Sequence, residues 1–156
     1  VQPTLWGPPT WQMLFMCTWV CTKRNFDKLV HLVECTTDLL PCEKCRKHYL
    51  KNAARVTRRT KNTSPTDPRS MFYWLYCLKD EVNKNADLRT RSISFEDLMQ
   101  RCVFHGAVVD DVLVADTLVV FAVTAKDLGL SPRFVHMCAL LSELLPLPQD
   151  SQLREH

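Results

Sequence analysis

The chain has 156 residues, 46% of them apolar and 24% charged, with a formal charge of +3. These values suit one compact domain near globular averages. They exclude a membrane span, because no apolar run approaches the roughly 18 to 20 residues that one needs, and they give no reason of their own to expect nucleic acid.

The charge is distributed unevenly. Eight Lys/Arg and no acid lie between Lys44 and Lys61, whereas Val108 to Asp127 carries four Asp and one Lys. The opening Val-Gln-Pro-Thr-Leu-Trp lacks the basic start, apolar core and cleavage site of a secretory signal, so an intracellular protein is expected. Eight cysteines alongside only three glycines fit redox or metal chemistry better than a loop-rich disulfide framework.

Apolar spacing predicts an all-α fold. A first helix is expected from Pro8 to Cys21, with Trp11, Leu14, Phe15 and Trp19 on its apolar face. A second, Phe26 to Leu40, presents Leu29, Val30, Val33 and Leu39 and ends against Pro41, which disfavours helical geometry in the residue before it. A third begins at Cys42-Glu43-Lys44-Cys45, carries Tyr49 and Leu50, and fades in the polar stretch Arg58 to Pro65. Asp67 followed by Pro68 reads as a helix cap and opens a fourth helix to Asn85, with Phe72, Leu75, Leu78 and Val82. Ser94 with Asp97 three residues on resembles a capping box for a short fifth helix towards Phe104. Beyond His105 an aliphatic run from Val108 to Leu128 ends at Gly129, and Ser131-Pro132 starts a last helix through Phe134, Val135, Cys138 and Leu141. The expected organisation is therefore a main unit over residues 1–105 and a C-terminal helical extension over 106–156 packed on it.

The chemistry concentrates at Cys42 and Cys45. A CxxC at a helix start meets unpaired backbone N–H groups and the positive end of the helix dipole, both of which favour a thiolate. Lys44, Arg46, Lys47 and His48 add positive charge, and thiolate is the attacking form in disulfide exchange. Three other readings exist. Cys42, Cys45 and His48 are three ligands of a zinc knuckle whose fourth is not visible; a thioredoxin-type dithiol expects a preceding strand that the sequence lacks; and two thiols can simply fill a core.

Three segments in order resemble the Erv-type sulfhydryl oxidases, the family of augmenter of liver regeneration, and especially its forms from large cytoplasmic DNA viruses. Gly7-Pro8-Pro9-Thr10-Trp11-Gln12-Met13-Leu14-Phe15 is similar to G-R-x-x-W-x-x-x-H, Leu40-Pro41-Cys42-Glu43-Lys44-Cys45 to Y-P-C-x-x-C, and Trp74 to Asn83 to W-x-x-H-x-x-N-x-V-N. The resemblance spans Gly7 to Lys84. It implies a helical bundle of four helices plus a short fifth around FAD, and oxidation of a protein dithiol by O2 with release of H2O2. Such oxygen chemistry lies beyond protein side chains and calls for a cofactor of this kind.

By the same resemblance Cys42 exchanges with substrate and Cys45 faces the flavin. Gly7, Thr10, Trp11, Val82 and Asn83 would contact FAD, and Phe15, Cys77 and Asp80 would line its site through altered contacts; Lys84 reads either as a phosphate contact or as a solvated helix end. Pro8, Phe15, Leu40, Cys77 and Asp80 stand where the family has Arg, His, Tyr, His and Asn. No metal is implied. The expected partners are a thioredoxin-like relay or folding client, O2 and a second copy in a homodimer. The setting implied is host cytoplasm or virion.

Of the remaining cysteines, Cys17 and Cys21 read as free thiols and Cys35 and Cys138 as packing residues. Pairing of Cys77 with Cys102 would echo a structural disulfide of the family. The basic run after Cys45 suits an acidic partner, the FAD phosphates or plain solvation.

Overall fold

The computed structural model describes residues 3–60, 64–85, 92–104 and 111–145. Seven α-helices and one short 3-10 turn make up the fold, with no strand among the described residues. The helices are α1 (Pro3–Val20), α2 (Phe26–Asp38), α3 (Glu43–Arg59), α4 (Pro68–Asn85), α5 (Phe95–Phe104), α6 (Asp111–Asp127) and α7 (Ser131–Leu144), and the 3-10 turn Lys23–Asn25 links α1 to α2. No described helix is long and apolar enough to cross a membrane.

α1 starts five residues before the expected Pro8. Pro8 and Pro9 remove the amide donors that would reach the carbonyls of Thr4 and Leu5, but both of those residues are exposed and water can serve them. From Met13 to Thr18 six consecutive residues are buried, so α1 is covered on all sides and forms the central helix, packed by α2, α4, α5, α6 and α7.

α2 ends at Asp38, two residues before the expected Leu40. The Leu39 amide still reaches the Cys35 carbonyl at 3.1 Å, and the chain then leaves the helix ahead of Pro41. Its buried stripe is Leu29, Leu32, Val33, Cys35 and Thr36.

α4 starts where Asp67-Pro68 places it. The Ser70 amide donates to Asp67 Oδ1 at 2.7 Å and the Asp67 amide to Ser70 Oγ at 3.1 Å, a reciprocal cap. These bonds from Ser70 hold the Asp67 carboxyl below its ordinary pKa. The Asp97 amide likewise donates to Ser94 Oγ at 3.1 Å at the head of α5. α6 closes on Gly129 at φ 67°, with Leu130 N–H bonded to the Ala125 carbonyl at 2.7 Å and Gly129 N–H to that of Lys126 at 3.1 Å. This is a Schellman end, and the positive φ explains the glycine. The expected start of this helix at Val108 and the boundary near His105 lie outside the described residues, as do Lys61 to Thr63 of the polar stretch.

α7 runs antiparallel to α2, since Lys28 pairs with Glu143 at 3.1 Å and Asp38 with Arg133 at 2.6 Å. These ion pairs are well exposed, so each contributes at most about 1 kcal/mol. Burial does more. Phe121 of α6 and Met137 of α7 are fully buried in the same core cluster as Leu29, Leu32 and Leu75, so α6 and α7 share the hydrophobic core of the first five helices. Phe121→Ala is expected to destabilise the whole protein by about 3 to 5 kcal/mol, seen as one shifted urea transition. A loss below about 1 kcal/mol, or a separate early transition, would show that α6 and α7 do not close the common core.

Candidate redox site

The site is built at the corner between α2 and α3. Leu39 and Leu40 are buried there, and Pro41 and both cysteines are partly exposed. Cys42 is the N-cap of α3, with extended backbone (φ −121°, ψ 121°), and its Sγ accepts the Cys45 amide at 3.2 Å. The sulfurs of Cys42 and Cys45 sit at disulfide distance, with Cα atoms 5.0 Å apart.

The cap arrangement has a chemical consequence. When the pair is reduced, the Cys45 N–H and the helix N-terminus both favour negative charge on the Cys42 sulfur. Arg46 braces the corner from within α3, its Nη1 donating to the Leu40 carbonyl. Tyr49 lies one turn beyond Cys45; burial pushes its phenol up in pKa, opposed by a hydrogen bond with Thr37. The sequence marks Arg46 only as positive charge near the pair and does not mark Thr37, because the contact that each makes here depends on a partner brought close by the turn. Glu43, the one acid of the first turn, pairs with Lys47 at 2.6 Å, which lowers its pKa. Lys44 is exposed and forms no ion pair among the described residues.

The residues implied for the cofactor fall on two helices that pack together, α1 and α4. On α1, Thr10 is buried and donates to the Trp6 carbonyl at 2.6 Å. Trp11 is half-buried and stacks on Phe15 at 6.2 Å, while Phe15 is buried in the core edge-on to Phe72 of α4 at 5.3 Å. A Cβ built on Gly7 would meet no atom within 4 Å, so open space lies above it.

On α4, Cys77 and Val82 are half-buried and Asn83 is buried. Asp80 pairs with Lys84 at 2.7 Å and accepts from Ser92 Oγ at 3.2 Å. Asp80 and Asn83 share a small recess with Tyr76, Lys79, Ser92, Ile93 and Leu98. Burial and the nearby Arg101 lower the pKa of Lys79. Trp11, Trp74, Tyr49, Cys42 and Cys45 all pack from the rim on one buried cluster that includes Phe15 and Phe72.

A flavin nucleotide held between α1 and α4 would meet donors and an aromatic surface here. Trp6 Nε1 is a buried donor without an acceptor, one residue from the open backbone at Gly7, and a buried N–H of this kind is costly unless something accepts it. Trp11 offers an aromatic surface and Asn83 an amide, and Lys79 and Lys84 are the nearby cations for phosphates. Asp80 opposes a phosphate, and its pairing with Lys84 is the contact that an anion would have to share.

Compared with protein-family models, with curated proteins and with solved structures, the chain matches none of them.

Six cysteines are free, Cys77 and Cys102 among them. Tyr73 is hydrogen-bonded to Cys77, and this neighbour raises the pKa of the phenol. Among the described residues no three His, Cys, Asp or Glu side chains gather as metal ligands, which leaves the zinc reading of Cys42, Cys45 and His48 without a cluster.

Burial, with Cys21 adding to it, pushes the Cys17 thiol up to about 12, against roughly 8.5 for a free thiol. Its neutral form therefore stabilises the fold below the unfolded pKa, and that contribution is lost as pH rises towards the folded one. In the reduced, folded protein at pH 7, iodoacetamide is expected to label Cys42 roughly a hundredfold faster than Cys17. Peptide mapping by mass spectrometry measures both rates. Equal labelling would mean that the cap gives Cys42 no thiolate character.

Proposed function

We propose that this protein is an FAD-linked thiol oxidase that forms disulfides in protein substrates at Cys42 and Cys45. The observation that carries the reading is the pair at disulfide distance on the N-terminus of α3, with the Cys45 amide on Cys42 Sγ. A purely structural staple would gain little from a bond closing so short a loop, since loop-closure stabilisation grows with loop length.

A substrate thiolate attacks Cys42 Sγ, the Cys42–Cys45 bond breaks, and Cys45 leaves as a thiolate. The substrate's second thiolate then attacks its own sulfur in the mixed disulfide and expels Cys42, whose negative charge the Cys45 N–H and the helix end support. The substrate loses two electrons and two protons, and the pair gains them. FAD, when bound, supplies a two-electron acceptor that passes the electrons to O2 with formation of H2O2. Gly7, Thr10, Trp11, Asn83 and Lys84 would hold it, and the resemblance makes Cys45 the sulfur nearer to it. The same resemblance supports a homodimer working inside a cell or virion, on a thioredoxin-like relay or a folding client.

The purified protein is expected to be yellow, with a flavin spectrum, and to consume O2 with a dithiol, producing H2O2. Cys42→Ser and Cys45→Ser should each lower uptake by roughly a hundredfold or more while the flavin stays bound. Colourless protein after supply of FAD, or full activity in both variants, would sink the assignment.

A further inference from the structure

α3 turns one face inward and leaves another unused. Asn52 and Val56 are buried on the inner side. There Asn85 Nδ2 donates to Asn52 Oδ1 at 2.7 Å and Trp74 Nε1 to Thr57 Oγ1 at 3.3 Å, tying α3 to α4. The outer side exposes Lys44, Lys47, Lys51 and Arg58 at helical spacing, with Ala54 and a 62% exposed Leu50 among them.

The charge on this face is not balanced locally. From Glu43 to Arg59 the helix carries seven Lys/Arg against one carboxylate. Glu81 of α4 adds a second acid, held by Arg55 at 3.7 Å and Arg59 at 3.0 Å. Seven against two leaves an excess of five, whereas the whole chain carries +3, so the rest of the molecule is slightly acidic. Lys44 and Lys51 form no ion pair among the described residues. From Cys42 to Arg58 the stripe runs about 24 Å at 1.5 Å per residue, the reach of about seven residues of extended chain.

Resting on the reading of Cys42 and Cys45 as the exchange site, we infer that this face docks the protein substrate, and that the segment bearing the substrate dithiol is acidic with an apolar residue for Leu50. The sulfurs pack from the rim on the inner side of α3, but the stripe starts at the same end of the helix, so a segment lying along it ends at the N-terminus of α3, where its own cysteine turns in to the partly exposed Cys42. The exchange is the balanced one above: a substrate sulfur bonds to Cys42 as Cys45 leaves, then the second substrate thiol closes the substrate disulfide and frees Cys42. A nucleic acid fits less well. Along α3 the one exposed ring is the His48 imidazole, a single small surface for base stacking, and the exposed Leu50 at the centre of the face has no use on a phosphate track.

The test uses the full chain without oxygen and reads reduction of the Cys42–Cys45 bond by acid quench, alkylation and mass spectrometry. Two dithiol peptides of equal length, one flanked by Asp and Glu and one by Lys, are compared with dithiothreitol, each rate being divided by thiolate fraction. The acidic peptide is expected to react at least about tenfold faster than the basic one at low ionic strength, with the difference falling below about twofold in 0.5 M salt. Lys51→Glu with Arg58→Glu should cut the ratio of acidic-peptide rate to dithiothreitol rate by about tenfold, and Lys51→Gln with Arg58→Gln by less.

Equal peptide rates with normal dithiothreitol reduction would overturn the docking surface and leave the oxidase reading standing. Suppression of both peptides alike by an oligonucleotide would overturn it in favour of a nucleic-acid face. Failure of every dithiol to reduce the pair would overturn both readings. An acidic preference without oxygen uptake would support the docking face and remove only the oxidase.

Discussion

Pro41 disfavours a helical Leu40, and α2 stops at Asp38; the chain turns through Leu39 (φ −100°, ψ 6°) and is extended by Cys42. Leu39 and Leu40 are buried at that crossing, which fixes where the next residue emerges. It is Cys42, and it emerges as an N-cap. A cysteine one residue earlier would lie on the proline's side of the turn, and one residue later inside the first turn, where its sulfur could not receive the N3 amide. The bracing contact from Arg46 to the Leu40 carbonyl satisfies an acceptor that neither helix can serve. The position of the Cys42 sulfur is thus a by-product of burying two leucines beside a proline.

That corner is held from behind by α7. Arg133 meets Asp38, the last residue of α2, but the pair is too exposed to carry much of the energy. The firmer support comes from Met137, Leu140, Leu141 and Leu144, all buried in the cluster that also holds Leu32 and Leu39. α6 completes the arrangement through Phe121 and Ala125. The C-terminal helices are consequently part of what positions α2, and through α2 the Cys42–Cys45 pair.

The elements most legible in the sequence were those with local punctuation. Asp67-Pro68, Ser94 with Asp97, and Gly129 each satisfy or terminate a helix through neighbours a few residues away, and the fold uses all three as read. The start of α1 was not legible, because two prolines argue for a beginning and only the exposure of Thr4 and Leu5 makes an earlier one tolerable. The Cys42–Cys45 pair at a helix start was legible from spacing and from Pro41. The bracing Arg46, the Thr37 partner of Tyr49 and the unpaired Trp6 indole were not, since each depends on packing between segments that no periodicity reports. Phe15 shows the limit from the other side: its place in the motif suggested a site wall, and its ring contact with Phe72 shows a core residue as well.

The positive charge of α3 has an energetic cost that bears on its use. Lys47 and Lys51, Lys51 and Arg55, and Arg55 and Arg59 are like charges four residues apart, each pair destabilising an isolated helix by about 0.2 to 0.5 kcal/mol. Lys44 and Lys47 also stand near the N-terminus, where the dipole disfavours cations. Glu43 and Glu81 offset part of this, and Arg58 and Arg59 at the C-terminal end gain from the same dipole. The fold needs none of the outward cations for packing. Near the sulfurs, however, the unfavourable positions become favourable once the pair is reduced, because a thiolate at Cys42 supplies the missing negative charge. Part of the cost of placing Lys44 and Lys47 there is therefore returned when the disulfide opens, which tilts the pair towards accepting electrons.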